Sequence, residues 1–244
     1  MTTVIEKQPL KSPETNRAAS LSAQLEGQDA LSLLKAAKAE FGTIALSSSF
    51  GADSVVLLHL VSQFDADTPV VFLDTDRHFF QTIQYRNQLT KRLGLTQLIN
   101  LKADPQEVAD FDPKSELWSK APDACCALRK VRPLNRTLPF YSAWITGRKR
   151  FQSETRTHMP LIEWDGNSFK INPLATWSRD DIADYIKAHD LPEHPLVEQG
   201  YLSIGCYSCT KPVELGEDAR SGRWAGQDKT ECGIHRSGFE GEGI

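Results

Sequence analysis

The residues with the most chemistry to offer are five cysteines in a chain of 244 residues. Cys125 and Cys126 are adjacent and follow Pro122 and Asp123; much later, Gly205 leads a Cys206-Tyr207-Ser208-Cys209 turn. A Cys-x-x-Cys turn lets two sulfurs converge on one centre. An adjacent pair is a less usual chelator, because neighbouring helical side chains diverge by about 100°. A bulky cluster with separate iron corners accepts that divergence more easily than one tetrahedral zinc ion. A helix would also carry Arg129 and Lys130 three and four residues on, along the face of the cysteines. There they would offset the negative charge of thiolate ligands. The spacing equally admits zinc, a redox-active dithiol, or two cysteines buried as small hydrophobes.

The fifth cysteine stands apart, in Glu231-Cys232-Gly233-Ile234-His235. A thiolate is the nucleophilic form, and cations such as His235, Arg236, Arg220 and Arg223 favour it. The plain alternative is an incidental thiol on a tail. Closure of such a tail over bound substrate would bring a nucleophile to the site and later release it to a partner.

Anion-binding features occur elsewhere. Ser47-Ser48-Ser49-Phe50-Gly51-Ala52-Asp53-Ser54 joins a strand to a helix, a junction that turns backbone N–H groups and the positive helix end toward an anion. Ser48 and Ser49 add hydroxyl donors, and Gly51 permits close approach. It is not a Walker A loop, since no Gly-Lys-Ser/Thr follows. The alternative is a capped serine turn with no ligand. Arg129-Lys130-Val131-Arg132 and Arg148-Lys149-Arg150, with Arg156 beyond, are basic runs suited to phosphate or sulfate, although some are ordinary solvated charges. Leu73-Asp74-Thr75-Asp76 ends a strand, the place where open α/β sheets bind ligands; Thr75 or Asp76 as a helix N-cap is the simpler reading.

The elements that must position these residues are legible as alternating apolar runs. Helices are expected at Asp29 to Glu40, Asp53 to Val61 and His78 to Arg92. Buried strands are expected at Thr43 to Ser47, Val70 to Asp74, Gln97 to Leu101 and Ala143 to Thr146, with an edge strand at Phe169 to Leu174. Ser178 and Asp181 form the N-terminal signature of another helix. This alternation implies an α/β fold with a mostly parallel sheet flanked by helices. More than half the glycines lie in the last forty residues. The organisation expected is a disordered leader over 1–24, an α/β domain over 25–204, which the resemblance described below implies is nucleotide-binding, and a Cys-x-x-Cys turn with a flexible C-terminal tail over 205–244.

A net charge of −4 argues against non-specific nucleic-acid binding, so any anion must be held by local basic clusters. No apolar run approaches the roughly 20 residues of a membrane span, and the N-terminus has no apolar core of an export signal. A cytoplasmic, reducing location is therefore expected, where cysteines serve as ligands or reactive thiols rather than disulfides.

Taken in order over residues 43–236, these motifs resemble one family. Ser48 to Asp53, Leu73-Asp74-Thr75, Cys125-Cys126-Ala127-Leu128-Arg129-Lys130 and Trp144-Ile145-Thr146-Gly147 are similar to the adenylyl-sulfate reductases of assimilatory sulfate reduction, as are Gly205 to Thr210 and Glu231 to His235. The resemblance implies an adenine-nucleotide α-hydrolase-like fold and a [4Fe–4S] cluster on Cys125, Cys126, Cys206 and Cys209. It also implies Cys232 as nucleophile, Lys130 between cluster and substrate, and Arg156, Arg220, Arg223 and His235 against the nucleotide or its sulfate. Ser48, Ser49, Gly51, Leu73 and Gly147 complete the expected substrate-binding set. The chain departs from the family pattern at Lys149, where arginine is usual, and at Asp76, where glycine is frequent.

The implied reaction is reduction of adenosine 5′-phosphosulfate to sulfite and AMP through an S-sulfonated Cys232, with thioredoxin as donor. Neither nucleic acid nor membrane is an expected partner, and a homo-oligomer is compatible with the sequence. The alternatives are a reductase of 3′-phosphoadenosine 5′-phosphosulfate sharing the same nucleophile, an ATP-dependent adenylating or thiolating enzyme built on the serine loop, and a metal-stabilised binding protein in which Cys232 does no turnover.

Overall fold

The structure is a computed structural model that describes residues 12–214, 216–224, 229 and 233–235. The framework is a six-stranded sheet. Its strands are β1 (Ile44–Ser47), β2 (Val70–Leu73), β3 (Leu98–Leu101), β4 (Ala143–Ile145), β5 (Ile162–Trp164) and β6 (Phe169–Ile171), in the spatial order β3-β2-β1-β4-β6-β5. All pairings are parallel except β5 with β6. The expected edge strand at Phe169 is thus interior: β5, three residues long, pairs with it and forms the edge. The described helices are α1 (Pro13–Gln24), α2 (Ala30–Phe41), α3 (Ser54–Asp65), α4 (Phe80–Arg92), α5 (Pro105–Phe111), α6 (Leu117–Lys120), α7 (Pro122–Cys126), α8 (Arg132–Thr137) and α9 (Arg179–Ala188).

Alternation along each strand sorts side chains between the two faces of the sheet. Ile44, Leu46, Val70, Phe72, Ala143, Ile145, Phe169 and Ile171 join the large core with α1, α2, α3, α4 and α9. Ala45, Val71, Leu73 and Trp144 form a second cluster with Leu134 of α8, against which Ile234 packs. A residue close to the C-terminus therefore helps to cover the second face.

The leader expected over 1–24 is helical from Pro13. Ser12 caps α1 by accepting from the Thr15 N–H, with Pro13 at the first turn. Ser22 Oγ accepts from Leu161 N at 3.0 Å, anchoring the helix beside β5. Two caps follow the sequence closely. Asp29 accepts from Leu31 and Ser32 N–H at the start of α2, and Ser178 and Asp181 form a reciprocal box at α9. Neither Thr75 nor Asp76 caps α4, whose N-cap is Phe79; Asp76 instead takes φ +58°, the conformation glycine adopts without strain.

Between α7 and α8 the helix widens into a π-turn over Ala127–Val131. Pro133 supplies the cause. It has no N–H for the carbonyl four residues back, and its ring crowds that carbonyl, so the preceding turn opens.

Candidate active site

Strand order reverses between β1 and β4, because β1 pairs with β2 on one side and β4 on the other. Open α/β sheets bind ligands beyond the carboxyl ends of the strands at such a switch point. A cavity of about 430 Å³ lies there, within the range of small-molecule sites. Ser48, Ser49 and Gly51 after β1, Leu73 at the end of β2, and Gly147 after β4 line it. Lys130, Arg156, Arg220, Arg223 and His235 line it as well, so all ten expected substrate residues share one cavity.

Each wall has a local cause. Phe50 takes φ +49° and is fully buried against Phe72, with ring centroids 5.7 Å apart, while its N–H donates to Ser48 Oγ. This folds the serine loop back over β1 and leads it into the start of α3. The space at Gly51 serves the protein: a Cβ there would fall 3.1 Å from Ile204 O. At Gly147 a Cβ would meet only Leu57, at an ordinary 3.7 Å.

The basic runs divide. Arg148 and Lys149 line the cavity, whereas Arg150 does not and donates from Nε to Met159 O. Lys149 is buried, with its Nζ 3.0 Å from Asp53. Burial pulls its pKa down, and the Asp53 carboxylate opposes that shift. Arg148 pairs with Glu163 and bonds Asn172 Oδ1 at 3.1 Å. Arg156 donates to Gln152 Oε1 at 2.6 Å, an oxygen that also accepts from Lys149 N. Lys149, Gln152 and Asp53 were not in the expected set; the signal for Lys149 was its place in a basic run after a strand.

Arg220 and Arg223 arrive on a return segment. Lys211 N donates to Gly222 O, Trp224 N to Cys209 O, and Thr210 bridges Arg223. Arg223 then lies over the Trp224 ring, 4.4 Å from its centroid.

His235 faces Arg148, Lys170, Arg156 and Arg220. Burial first, then these cations, hold its pKa well below the ordinary value. It is therefore a neutral imidazole in a cationic wall. Cys232 itself lies outside the described residues, but the segment just after it is placed: Gly233 is buried, and Ile234 and His235 line the cavity.

A smaller cavity adjoins the first. Cys125, Cys126, Cys206 and Cys209 line it together, with Arg129, Lys130 and Arg223. No disulfide joins any two of the four. Burial and the neighbouring Cys126, Cys206 and Cys209 push the Cys125 thiol up to about 12, against the pull of Arg129. Burial also raises Cys206, but Lys130, the Thr75 hydroxyl and Arg223 outweigh it and bring that thiol below its ordinary value. The Thr75 hydroxyl is 3.2 Å from Cys206 Sγ. Arg129 is held by a buried pair with Asp112 at 2.9 Å. Among the described residues, no group of three or more His, Cys, Asp or Glu is arranged to hold a metal ion. Four thiols around one cavity, flanked by cations, are nonetheless a donor set of the kind that suits a multi-iron cluster, whose corners stand apart. Lys130 lines both cavities.

Comparison with known proteins agrees with this fold. Residues 43–212 match the phosphoadenosine phosphosulfate reductase domain. An adenosine 5′-phosphosulfate reductase of Mesorhizobium japonicum is 54% identical over 197 residues, covering 81% of this chain and 78% of that protein. One from Rhodococcus opacus is 42% identical over 233 residues, covering 90% and 94%. The crystal structure of a phosphoadenylyl-sulfate reductase from Candida auris, in a phosphate complex, superposes with a TM-score of 0.70 at 26% identity, covering 83% of this chain and 99% of that one. No described helix is long and apolar enough to cross a membrane. With the sheet order, the switch-point cavity and this identity over most of its length, the chain belongs to the adenylyl-sulfate and phosphoadenylyl-sulfate reductase family of enzymes.

Proposed function

We propose that this chain reduces adenosine 5′-phosphosulfate to sulfite and AMP, with Cys232 as nucleophile and a thioredoxin-type dithiol protein as electron donor. The observation that carries the reading is Lys130, which lines both the substrate cavity and the four-cysteine cavity. A family enzyme that needed only a nucleotide site would have no use for that junction.

The nucleotide occupies the switch-point cavity, its anionic end toward Arg156, Arg220 and Arg223 and the N–H groups of the serine loop. The Cys232 thiolate attacks the sulfate sulfur. The bond from sulfur to the phosphate oxygen breaks, AMP leaves with that electron pair, and Cys232 carries a sulfonate. The arginines and Lys130 stabilise charge on the transferring and leaving oxygens. A thiolate of the donor then attacks Cys232 Sγ, releasing sulfite and forming a mixed disulfide. The donor's second thiol resolves it, leaving an oxidised donor and a free Cys232 thiolate.

Cys125, Cys126, Cys206 and Cys209 would hold a [4Fe–4S] cluster. When bound, it supplies a fixed local charge beside Lys130 rather than a path for single electrons. Lys130 on the π-turn would face both that charge and the substrate, and Arg129 that charge alone.

Anaerobic purification with iron and sulfide analysis, then sulfite release from each nucleotide with thioredoxin, tests the reading. Adenosine 5′-phosphosulfate should be turned over in preference to its 3′-phosphorylated form. Cys232→Ser should keep the cluster's colour and release no AMP; normal turnover by that variant would sink the assignment. The 3′-phosphorylated substrate is the second reading, supported by the Candida auris structural match.

A further inference from the structure

We propose that Lys170 and Trp144, neither of which is among the side chains lining the substrate cavity, form the seat on which the C-terminal arm docks, and so act as positioning residues for Cys232. The inference rests on the reading of Cys232 as nucleophile.

Lys170 lies on the interior strand β6 and is 1% exposed. A lysine in such a place is costly unless its ammonium is fully engaged. Asp165 provides one partner at 2.8 Å. The second is the arm itself, since Lys170 Nζ donates to the backbone carbonyl of His235 at 3.3 Å. Trp144, next to it on β4, presents its ring to the same residue. The His235 imidazole stacks on the indole at 5.4 Å with an interplanar angle of 10°, and Lys170 Nζ lies 5.5 Å from the indole centroid. The indole is fixed from behind, where its Nε1 donates to Ser168 Oγ at 3.1 Å. Ile234 adds an apolar contact to the same sheet face.

Three contacts of different kinds thus converge on two consecutive arm residues: a charged donor to a carbonyl, a ring stack and an apolar packing. The arm is tied again on the other side of Cys232. Lys229 pairs with Asp123 and donates to Pro122 O at 3.3 Å, both on the helix that carries Cys125 and Cys126. Cys232 sits three residues from each tie, a span of about 10 Å of extended chain at most. The seat holds Ile234 and His235 without itself lining the substrate cavity.

Lys170→Met keeps the stem and removes the donor. Trp144→Phe keeps an aromatic core residue, trims the stacking surface and removes the Ser168 bond. Both are made in the full chain, and Cys232 alkylation by iodoacetamide is followed by mass spectrometry at that peptide, with and without AMP. Turnover of adenosine 5′-phosphosulfate is measured alongside. Lys170→Met should raise the Cys232 alkylation rate by roughly tenfold, the scale of one hydrogen bond to a charged group, and Trp144→Phe should raise it by roughly fivefold, the scale of a neutral one. Each should also lower kcat by a similar factor with KM for the nucleotide little changed. Folded variants that alkylate at the wild-type rate, or that lose affinity rather than kcat, would overturn the proposal. If Lys170→Met does not fold, Trp144→Phe decides alone. Alkylation reads the arm whether or not sulfite is formed, so a wild-type chain that fails to turn over would count against the proposed reaction and leave this test standing.

Discussion

The guanidinium of Arg223 rests directly on Gly205: a Cβ at position 205 would fall 2.7 Å from Arg223 Cζ. The glycine that leads the Cys-x-x-Cys turn is thus also the platform of a cavity arginine. The two sites share a wall at this point as well as at Lys130.

Gly205→Ala is expected to fold, because the crowded group is the far end of a flexible side chain. Arg223 must move aside, and with it a charge-assisted contact to an anionic ligand. AMP affinity should fall by about 1–3 kcal/mol by titration calorimetry, with thermal stability nearly unchanged. Unaltered affinity would show that Arg223 does not serve the ligand.

Asp112→Ala leaves Arg129 buried without its carboxylate and also removes the acceptor of Glu116 N and Leu117 N. Breaking a buried pair of this kind costs about 3–5 kcal/mol. Urea unfolding should show that loss, and iron content after anaerobic purification should fall with it, since Arg129 lies on the turn that follows Cys125 and Cys126.

Asp53→Asn removes the carboxylate that supports the proton on buried Lys149. The Lys149 pKa should drop further. Affinity for AMP, an anion, should then decline as pH rises and do so at a lower pH than in the wild type. Binding measured between pH 6 and 10 checks this; parallel profiles would exclude a role for the pair in holding charge at the site.

His194 gives a stability signal in acid. It is buried, accepts from Leu196 N through Nδ1 and lies 3.0 Å from Thr82 Oγ1 through Nε2. Burial holds its pKa down to about 4. The unfolded chain takes up a proton near 6.5 that the folded chain refuses, so its contribution is full above that pH and is lost as pH falls from about 6.5 toward 4. Allowing for solvent screening, the loss is about 1–2 kcal/mol. His194→Asn, whose amide oxygen can accept from Leu196, should be less stable at pH 7.5 and show a flatter decline to pH 5 in urea unfolding.

Legibility in the sequence followed the strength of local patterns. The parallel strands at Ile44, Val70, Leu98 and Ala143 are apolar runs between turn residues, and each lies where expected. The caps at Asp29 and Ser178 are side-chain chemistry that acts within three residues, so they too are readable. β5 is too short to carry a period, and α1 buries little beyond Ala18 and Ser22, which leaves no apolar stripe to detect. Of the ten cavity residues, Ser48, Ser49, Gly51 and Leu73 are legible at strand ends and Lys130 and Arg156 in basic runs, whereas Gly147, Arg220, Arg223 and His235 enter through the family resemblance. The Lys149–Asp53 pair and the closeness of Ile204 to Gly51 arise from tertiary contact between distant segments, which no local spacing encodes. The π-turn did have a signal, in Pro133, but its effect appears four residues upstream of the proline itself.

That turn makes chain length between the cysteine pair and the cations a determinant in its own right. Across Ala127–Val131 the backbone holds a residue more than a regular helical turn would. Deleting Ala127 or Leu128 would return the segment to ordinary winding and leave Arg129 only two residues from Cys126, a spacing at which helical side chains do not share a face. At this place a deletion would be a more severe change than most substitutions.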